Sequence, residues 1–338
     1  MMNVVSTPEP ARPAAGEPLV RVQGLSRRFG SRSFWRPGKT RGFYAVRDVN
    51  LTIAKGEALG IVGESGCGKS TLGRMILRML RPTDGQIEFA GQDISTLSDG
   101  ALRPLRRRMQ MIFQDPFASL DPKRRIGDQI ADALKVHGIM DEAQSRQRTA
   151  ELLSQVGLLP EHAGRRPHAF SGGQRQRIAI ARALAPSPDL IVADEPIAAL
   201  DVSIQAQVVN LLSDLRARMG LSLLFISHDL HVVRHLCDRV AVMYLGRIVE
   251  QGTVEQVFGS PRHPYTRVLL AASPSLRSGA RIESLKGEIP SPAHPPSGCG
   301  FRTRCPMALP ACAEREPALV TDGTDHAVAC RRAGEMPA

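Results

Sequence analysis

A glycine-rich segment at residues 63–71, directly behind the apolar run 59–62, constrains this chain more than any other feature. It fits the pattern G-x-x-x-x-G-K-[ST] of a phosphate-binding loop, which follows a buried strand and opens a helix. The apolar residues after it recur at helical spacing, so a helix N-terminus would direct its dipole at a bound anion. Lys69 would bring a positive charge to the phosphates, and Ser70 a hydroxyl to Mg²⁺. The segment therefore predicts a nucleotide site formed by Gly63, Glu64, Ser65, Gly66, Cys67, Gly68, Lys69, Ser70 and Thr71.

The composition is that of a globular protein and limits the classes of partner. Of the 338 residues, 42% are hydrophobic and only 4% aromatic, which argues against a protein that binds nucleic acid by base stacking. The net charge of +11 suits nucleotides, an anionic membrane face or nucleic acid and does not choose between them. We find no apolar run long enough to span a bilayer and no signal peptide at the start. We therefore expect a cytoplasmic protein that reaches a membrane only through partners and binds no nucleic acid.

Changes in residue pattern along the chain predict three parts. Residues 1–17 are rich in Pro, Ala and Glu and predict a disordered N-terminus. Residues 18–258 predict an α/β domain, into which a helical subdomain is inserted at about 116–186. Residues 259–338 contain many prolines and four cysteines and predict a separate, irregular C-terminal extension.

The α/β domain contains strand patterns and turn signals that can be placed in order. Alternating or continuous apolar runs predict strands at 19–23, 45–53, 109–114, 190–194 and 221–226, and a hairpin at 239–250. A basic, glycine-containing insertion lies at 30–42. Asp84 and Gly85 together predict the turn of a further hairpin.

Two groups of residues far from the phosphate loop carry chemistry that suits a nucleotide. Asp194 ends a buried strand and is a candidate for the Mg²⁺ shell, while Glu195 is placed to polarise a water for in-line attack on the γ-phosphorus. A serine and paired glycines before an alanine-rich helix predict a second anion site. That site consists of Ser171, Gly172, Gly173 and Gln174.

In this order, the motifs resemble the ATP-binding cassette (ABC) family over residues 19–258. Gln114 matches the family's Q-loop and residues 171–174 its signature, and His228 matches the switch histidine that senses the γ-phosphate. The resemblance implies an ABC-type P-loop ATPase core with an inserted helical subdomain. It also implies ATP and Mg²⁺ as cofactors, with Ser70, Gln114 and Asp194 around the metal and Glu195, His228 and Gln114 as catalytic residues.

The resemblance extends to the D-loop and to assembly. Residues 199–201 match the D-loop, although Ala198 stands where the family usually has serine. In the family, the signature serine reaches the γ-phosphate of an opposing cassette, so the resemblance implies a sandwich of two cassettes. It also implies an aromatic residue stacked on adenine, for which Phe29 is the better match and Tyr44 the alternative.

The C-terminal part narrows the resemblance to one branch of the family. Residues 201–212, 263–266 and 295–306 resemble the ATP-binding subunits of bacterial oligopeptide and dipeptide importers, particularly the F-type cassette. This implies ATP-driven peptide import at the cytoplasmic face of the inner membrane. The partners would be a second, different cassette, two permeases and an extracytoplasmic solute-binding protein. Related importers carry nickel, glutathione or antimicrobial peptides, and a non-transport ABC ATPase is a further alternative.

Four cysteines in the extension form a candidate metal site, namely Cys299, Cys305, Cys312 and Cys330. A proline-rich segment with little capacity to build a hydrophobic core needs a cross-link or a bound metal to hold a fold, and a cytosolic compartment disfavours disulfides. Structural zinc sites usually use closer C-x₂₋₄-C pairs, whereas cysteine patterns of iron–sulfur clusters vary. Members of the peptide-importer group contain a four-iron cluster here, so the resemblance raises [4Fe–4S] above zinc. Four unligated thiols are the remaining alternative.

Overall fold

The computed structural model describes residues 17–30, 42–136, 138, 140–272, 287–321 and 323–335. The prediction for residues 1–16 and most of the predicted insertion at 30–42 lie outside these ranges. The strands within them are β1 (Val20–Phe29), β2 (Phe43–Ile53), β3 (Ala58–Val62), β4 (Asp84–Phe89), β5 (Gln92–Asp93), β6 (Met109–Ile112), β7 (Leu190–Asp194), β8 (Ser222–Ile226), β9 (Arg239–Tyr244), β10 (Arg247–Thr253), β11 (Val320–Thr321) and β12 (Ala327–Val328).

The helices are interspersed with these strands. They are α1 (Lys69–Ile76), α2 (Asp99–Arg108), α3 (Pro116–Ser119), α4 (Ile126–Val136), α5 (Glu142–Gln155), α6 (Gly172–Leu184), α7 (Val202–Met219), α8 (Leu230–Leu236), α9 (Val254–Gly259) and α10 (Pro264–Ala271). No helix in the described ranges is both long enough and apolar enough to cross a membrane.

The larger sheet carries the centre of the fold. Its strand order is β11-β12-β10-β9-β3-β8-β7-β6, and β6, β7, β8, β3 and β9 run parallel to their neighbours in this group. Every residue of β3, β7 and β8 is buried, which explains why these strands read as continuous apolar runs. Parallel strands end at the same edge, so the segments that follow β3, β7 and β8 meet there.

The smaller, antiparallel sheet has the order β2-β1-β4-β5 and covers α1 and the adjoining face of the larger sheet. The predicted turn at Asp84 and Gly85 is wrong, because both residues lie inside β4. The hairpin instead turns at Ala90 and Gly91, whose φ angles of 51° and 78° are both left-handed. Gly85 is needed for another reason: a Cβ there would come within 2.5 Å of the Gly24 backbone, where β1 and β4 shift register.

Helices α3 to α6 occupy the segment where a helical subdomain is predicted. The apolar faces of α4, α5 and α6 share one hydrophobic cluster with β7, β8 and α7. Ser119 at the end of α3 accepts a hydrogen bond from Arg182 of α6, and Arg175 lies over the ring of Phe117 at 4.1 Å. The short helix after Gln114 is therefore tied to the helix that begins at the signature.

The C-terminal extension packs onto the core and does not form a core of its own. Tyr265, Leu270 and Phe301 belong to the same hydrophobic cluster as the central strands. In addition, β12 pairs with β10 and so extends the larger sheet. The boundary predicted at residue 259 stays a prediction, and the short strands and turns after it pack on the core.

A buried carboxylate holds the extension in place. Glu250 on β10 has no exposed surface, and its Oε1 accepts from the Arg262 backbone N–H at 2.6 Å and lies 2.7 Å from His326 Nε2. Its Oε2 accepts from the backbone N–H of His263 at 3.0 Å. The Glu250 side chain therefore contacts three polar groups, two that precede residues 273–286 in the chain and one that follows them.

We expect Glu250→Ala to lower the free energy of unfolding by about 2–5 kcal/mol, because it leaves buried donors without an acceptor. Chemical unfolding and limited proteolysis of the extension measure this. Glu255→Ala, which removes an exposed carboxylate from α9, is the matched control. Equal stability of the two variants would contradict the assigned role of Glu250.

Candidate nucleotide-binding site

The phosphate loop lies between the end of β3 at Val62 and the start of α1 at Lys69. Gly63, Gly66 and Gly68 have φ angles of 150°, 78° and 109°, a backbone region that favours glycine. A Cβ on Gly68 would lie 2.1 Å from the backbone oxygen of Ala45. The loop therefore needs glycine at this position for its backbone angle and for its close contact with β2.

Lys69 is nearly fully buried, and its Nζ donates to the backbone oxygens of Gly63 at 2.7 Å and Glu64 at 3.0 Å. The ammonium thus lies within the loop that the sequence predicts to hold phosphates. Cys67 packs behind the loop, and burial raises the pKa of its thiol.

A cleft of about 410 Å³ opens in front of this loop. Most of the residues predicted to bind the nucleotide line it: Ser65, Gly66, Cys67, Gly68, Lys69, Ser70, Thr71, Gln114 and Glu195. Gly63 and Glu64 lie behind the loop, where the Glu64 backbone N–H donates to the Tyr265 hydroxyl at 2.8 Å. The loop therefore presents its second half to the cleft, and its first half to the protein interior.

Both candidate adenine-stacking aromatics, Phe29 and Tyr44, line the cleft, together with Phe43. The rings of Phe29 and Phe43 are 5.9 Å apart, and the guanidinium of Arg27 lies 4.8 Å from the Phe29 ring. Phe43 was not among the predicted residues, although its position beside Tyr44 was a usable sequence signal.

Asp194 and Ser70 form the candidate Mg²⁺ site. Ser70 Oγ donates to Asp194 Oδ1 at 2.7 Å, and Arg74 Nη2 lies 4.0 Å from Asp194 Oδ2. Burial raises the pKa of Asp194, which the hydrogen bond from Ser70 partly offsets. Two hard oxygen donors at the edge of a phosphate site fit Mg²⁺, which usually takes one or two protein ligands and completes its shell with water and phosphate oxygens. Gln114, the third predicted ligand, lines the same cleft as Ser70, and its Nε2 donates to Glu195.

Gln114, Glu195 and His228 come together at the other side of the cleft. Gln114 Nε2 donates to Glu195 Oε2 at 3.2 Å, and His228 Nδ1 lies 3.5 Å from the same oxygen. Glu195 has a φ of 47°, which is strained for a residue with a side chain, and its N–H donates to the backbone oxygen of Ile226. This strained turn directs the carboxylate into the cleft directly after β7.

The signature residues lie apart from this cleft. Ser171 caps α6: its Oγ accepts from the Gln174 N–H at 3.3 Å, and its own N–H donates to Gln174 Oε1 at 3.0 Å. Gly172 and Gly173 begin the helix, and a Cβ on Gly173 would come within 2.4 Å of Ile204 on α7. The signature is thus packed against the helix that follows the D-loop motif, and Ser171 itself is exposed.

The four cysteines of the extension line one small cavity, Cys299, Cys305, Cys312 and Cys330. The Cys299 N–H donates to the Cys312 backbone oxygen at 2.8 Å. Burial raises the pKa of Cys330 to about 11, with smaller contributions from the other three thiols. In the ranges that the structure describes, no group of three or more His, Cys, Asp or Glu side chains is arranged to hold a metal ion.

Two further parts of the chain line the nucleotide cleft without having been predicted. Leu245 and Gly246, at the turn between β9 and β10, lie against the loop, where the Gly246 N–H donates to the Cys67 oxygen at 2.8 Å. Pro292, from the extension, lies at the rim. No local sequence signal marks these contacts, because they arise from tertiary packing.

Comparison with known proteins agrees with this geometry. Residues 46–198 match the family described as ABC transporter, and residues 249–312 match the oligopeptide/dipeptide transporter C-terminal region. The chain is 50% identical over 319 residues to the oligopeptide transport ATP-binding protein AppF of Bacillus subtilis, covering 93% of this chain and 97% of that protein. The chain belongs to the ABC transporter family.

Other members of the ABC family agree in sequence and in fold. The oligopeptide transport ATP-binding protein OppF of Salmonella typhimurium is 52% identical over 307 residues, which cover 89% of this chain and 91% of that protein. A dimeric ATP-binding cassette in a post-hydrolysis state, bound to ADP and Pi, is 30% identical, with a TM-score of 0.62, and the match covers 70% of this chain and 98% of that one. The predicted α/β P-loop ATPase fold is confirmed, and the chain is an ABC-family ATPase.

We expect Gly68→Ala to weaken ATP binding by roughly 10- to 100-fold, because the new Cβ meets the Ala45 backbone at a strained φ. Titration with a fluorescent ATP analogue measures the affinity. Gly220→Ala is the matched control: its φ of 62° is also left-handed, but its Cβ would meet no atom within 4 Å and it caps α7 far along the chain. Unchanged affinity in Gly68→Ala would show that the loop tolerates a side chain there.

Proposed function

We propose that this chain binds and hydrolyses ATP to power the import of peptides across a cell membrane. The observation that carries the proposal is the match of residues 249–312 to the C-terminal region of oligopeptide/dipeptide transporters, beside a cleft lined by the phosphate loop, Gln114 and Glu195. The relatives AppF and OppF, which are named for oligopeptide transport, share about half of their residues with this chain along nearly its whole length. We assign residues 18–258 to the ATPase domain and 259–338 to the importer-type C-terminal region.

The residues around the cleft have different roles in ATP hydrolysis. Lys69 and the loop N–H groups bind the phosphates, and Ser70 and Asp194 hold Mg²⁺, which neutralises phosphate charge when bound. Glu195 takes a proton from the attacking water, and Gln114 and His228, both beside Glu195 Oε2, orient the water and sense the γ-phosphate. Phe29 stacks on adenine at the other end of the cleft.

Completion of the site requires a second cassette. Ser171 caps α6 and is exposed, and neither it nor the two glycines that begin the helix line the cleft of their own chain. A helix N-terminus that presents N–H groups to solvent suits the γ-phosphate of an opposing cassette. We therefore assign Ser171, Gly172, Gly173 and Gln174 to the site of a partner cassette, in a heterodimer that closes on ATP and opens after hydrolysis.

The membrane partners follow from the same role. The described part of the chain contains no helix that could cross a bilayer, so the path for the solute must come from other subunits. We propose two permease subunits that dock near Gln114 and the helical segment, together with an extracytoplasmic binding protein that delivers the peptide. The chain then acts at the cytoplasmic face of the inner membrane as a peripheral subunit.

We expect Glu195→Gln to retain ATP binding and to slow hydrolysis by roughly 10²–10⁴-fold, because an amide cannot take a proton from water. The measurement is ATP turnover and peptide uptake by the importer in proteoliposomes, with ATP binding measured on the same protein. Lys69→Ala should differ by losing nucleotide affinity itself. Wild-type turnover in Glu195→Gln would refute the assigned role of the carboxylate.

We assign a [4Fe–4S] cluster to the four cysteines of the extension. The support is that their thiols converge on one cavity although 31 sequence positions separate Cys299 from Cys330. Such a cluster takes one thiolate at each of four irons, which is the number of cysteines that line this cavity. Zinc and unligated thiols are the alternative outcomes of the test.

We expect the anaerobically purified protein to be brown and to contain iron and acid-labile sulfide. Cys305→Ser should lose both and loosen the extension, because one corner of the cluster lacks its ligand, whereas Cys237→Ala, which removes a buried thiol outside the set, should retain both. Iron and sulfide analysis and proteolysis measure these effects. Colourless protein with stoichiometric zinc would replace the cluster with a zinc site, and protein without metal would refute it.

A further inference from the structure

An ion pair joins the C-terminal extension to the phosphate loop. Arg304 Nη1 donates to Glu64 Oε2 at 2.7 Å, and Nη2 donates to Glu64 Oε1 at 2.9 Å. The Arg304 side chain is 4% exposed and that of Glu64 20% exposed. This ion pair is bidentate, charge-assisted and shielded from water. It therefore stabilises the contact more than an exposed ion pair on the surface would.

A second contact from the extension reaches the same residue of the loop. The hydroxyl of Tyr265 accepts a hydrogen bond from the Glu64 backbone N–H at 2.8 Å. The Tyr265 ring is fully buried and lies 4.7 Å from the ring of Tyr244 and 5.4 Å from that of Phe301. Tyr265 therefore holds the backbone of Glu64, and Arg304 holds its side chain. Tyr265 belongs to a group of packed aromatic rings.

Glu64 in turn contacts the residue that would bind phosphate. Its backbone oxygen accepts from Lys69 Nζ at 3.0 Å, so its position fixes where the ammonium rests. The neighbouring Gly63 packs closely against β9, since a Cβ there would lie 2.2 Å from the Met243 backbone oxygen. A continuous series of polar contacts thus runs from Arg304 through Glu64 to Lys69.

We propose that Arg304, assisted by Tyr265, is a positioning residue for ATP binding: it holds the phosphate loop in its binding conformation through Glu64. Neither Arg304 nor Glu64 lines the nucleotide cleft, so the effect acts through the loop backbone and Lys69. A loop that is fixed beforehand loses less conformational freedom when it closes on phosphate, and binding is tighter for that reason. The inference rests on the proposed function, because it requires that the loop binds ATP.

The affinity of the full-length chain for ATP, measured with a fluorescent analogue, tests this. We expect Arg304→Gln and Glu64→Gln each to raise the Kd roughly tenfold. The double variant should be no worse than either single one, because the second change has no interaction left to remove. Arg304→Lys, which retains the charge without the bidentate geometry, should recover part of the affinity.

Two further variants separate positioning from loss of stability. Tyr265→Phe removes only the hydroxyl and leaves the buried ring in place, so it should fold normally and still raise the Kd, by a smaller factor. Arg302→Gln is the matched control in the same turn, since Arg302 is half-buried and hydrogen bonds to Ser297 instead of to the phosphate loop. In the assembled importer, the KM for ATP should rise in Arg304→Gln while kcat at saturating ATP changes little, as expected for an interaction made equally in the ground and transition states.

The possible results distinguish this inference from the function on which it rests. If the wild-type chain does not bind ATP, the proposed function fails. If it binds ATP, and Arg304→Gln and Tyr265→Phe bind equally well, the positioning role is wrong and the contacts only stabilise the fold. If Arg304→Gln does not fold, the Kd of Tyr265→Phe for ATP tests the positioning role: an unchanged Kd would overturn it. Additive effects of Arg304→Gln and Glu64→Gln would also overturn the inference.

Discussion

Main-chain pairing of three buried parallel strands is the interaction on which the nucleotide site depends. β3 pairs with β8, from Ala58 opposite Leu223 to Ile61 opposite Ile226. β8 also pairs with β7, as far as Asp194 opposite Ile226. This register brings the phosphate loop, Asp194 and the segment with His228 to one edge of the sheet. A shift of one residue would turn each buried side chain to the other face and separate the Ser70–Asp194 contact. The apolar strands are thus what sets the geometry of the polar site.

The extension is part of this arrangement because it shares the core and reaches the loop. Phe301 packs on Tyr244 and Tyr265, and Arg304, three residues further on, pairs with Glu64. Two of the four cysteines, Cys299 and Cys305, flank the same turn. The turn that contacts the phosphate loop therefore also contributes two cysteines to the cysteine cavity.

Local patterns predicted most of the fold and site, and contacts between distant segments account for what was missed. The phosphate loop, the β7 strand and the cap at Ser171 each carry their signal in a few neighbouring residues. Gly85 carries a turn signal but lies in a strand, where glycine is needed because the Gly24 backbone of β1 leaves no room for a Cβ. The orientation of the Glu64 side chain away from the cleft could not be predicted either, because its partner lies 240 positions further along the chain.

That separation has a consequence for synthesis on the ribosome. Residues 58–76, which contain the whole phosphate loop, emerge early. Arg304 follows Glu64 by 240 residues. At roughly 5–20 residues per second, synthesis of this stretch takes about 10–50 seconds. During that interval, the nascent chain has a phosphate loop whose Glu64 carboxylate has no guanidinium to pair with. On the proposed positioning role, a chain released before residue 304 would carry the ATPase motifs without the Arg304 contact, and its phosphate loop would bind nucleotide more weakly.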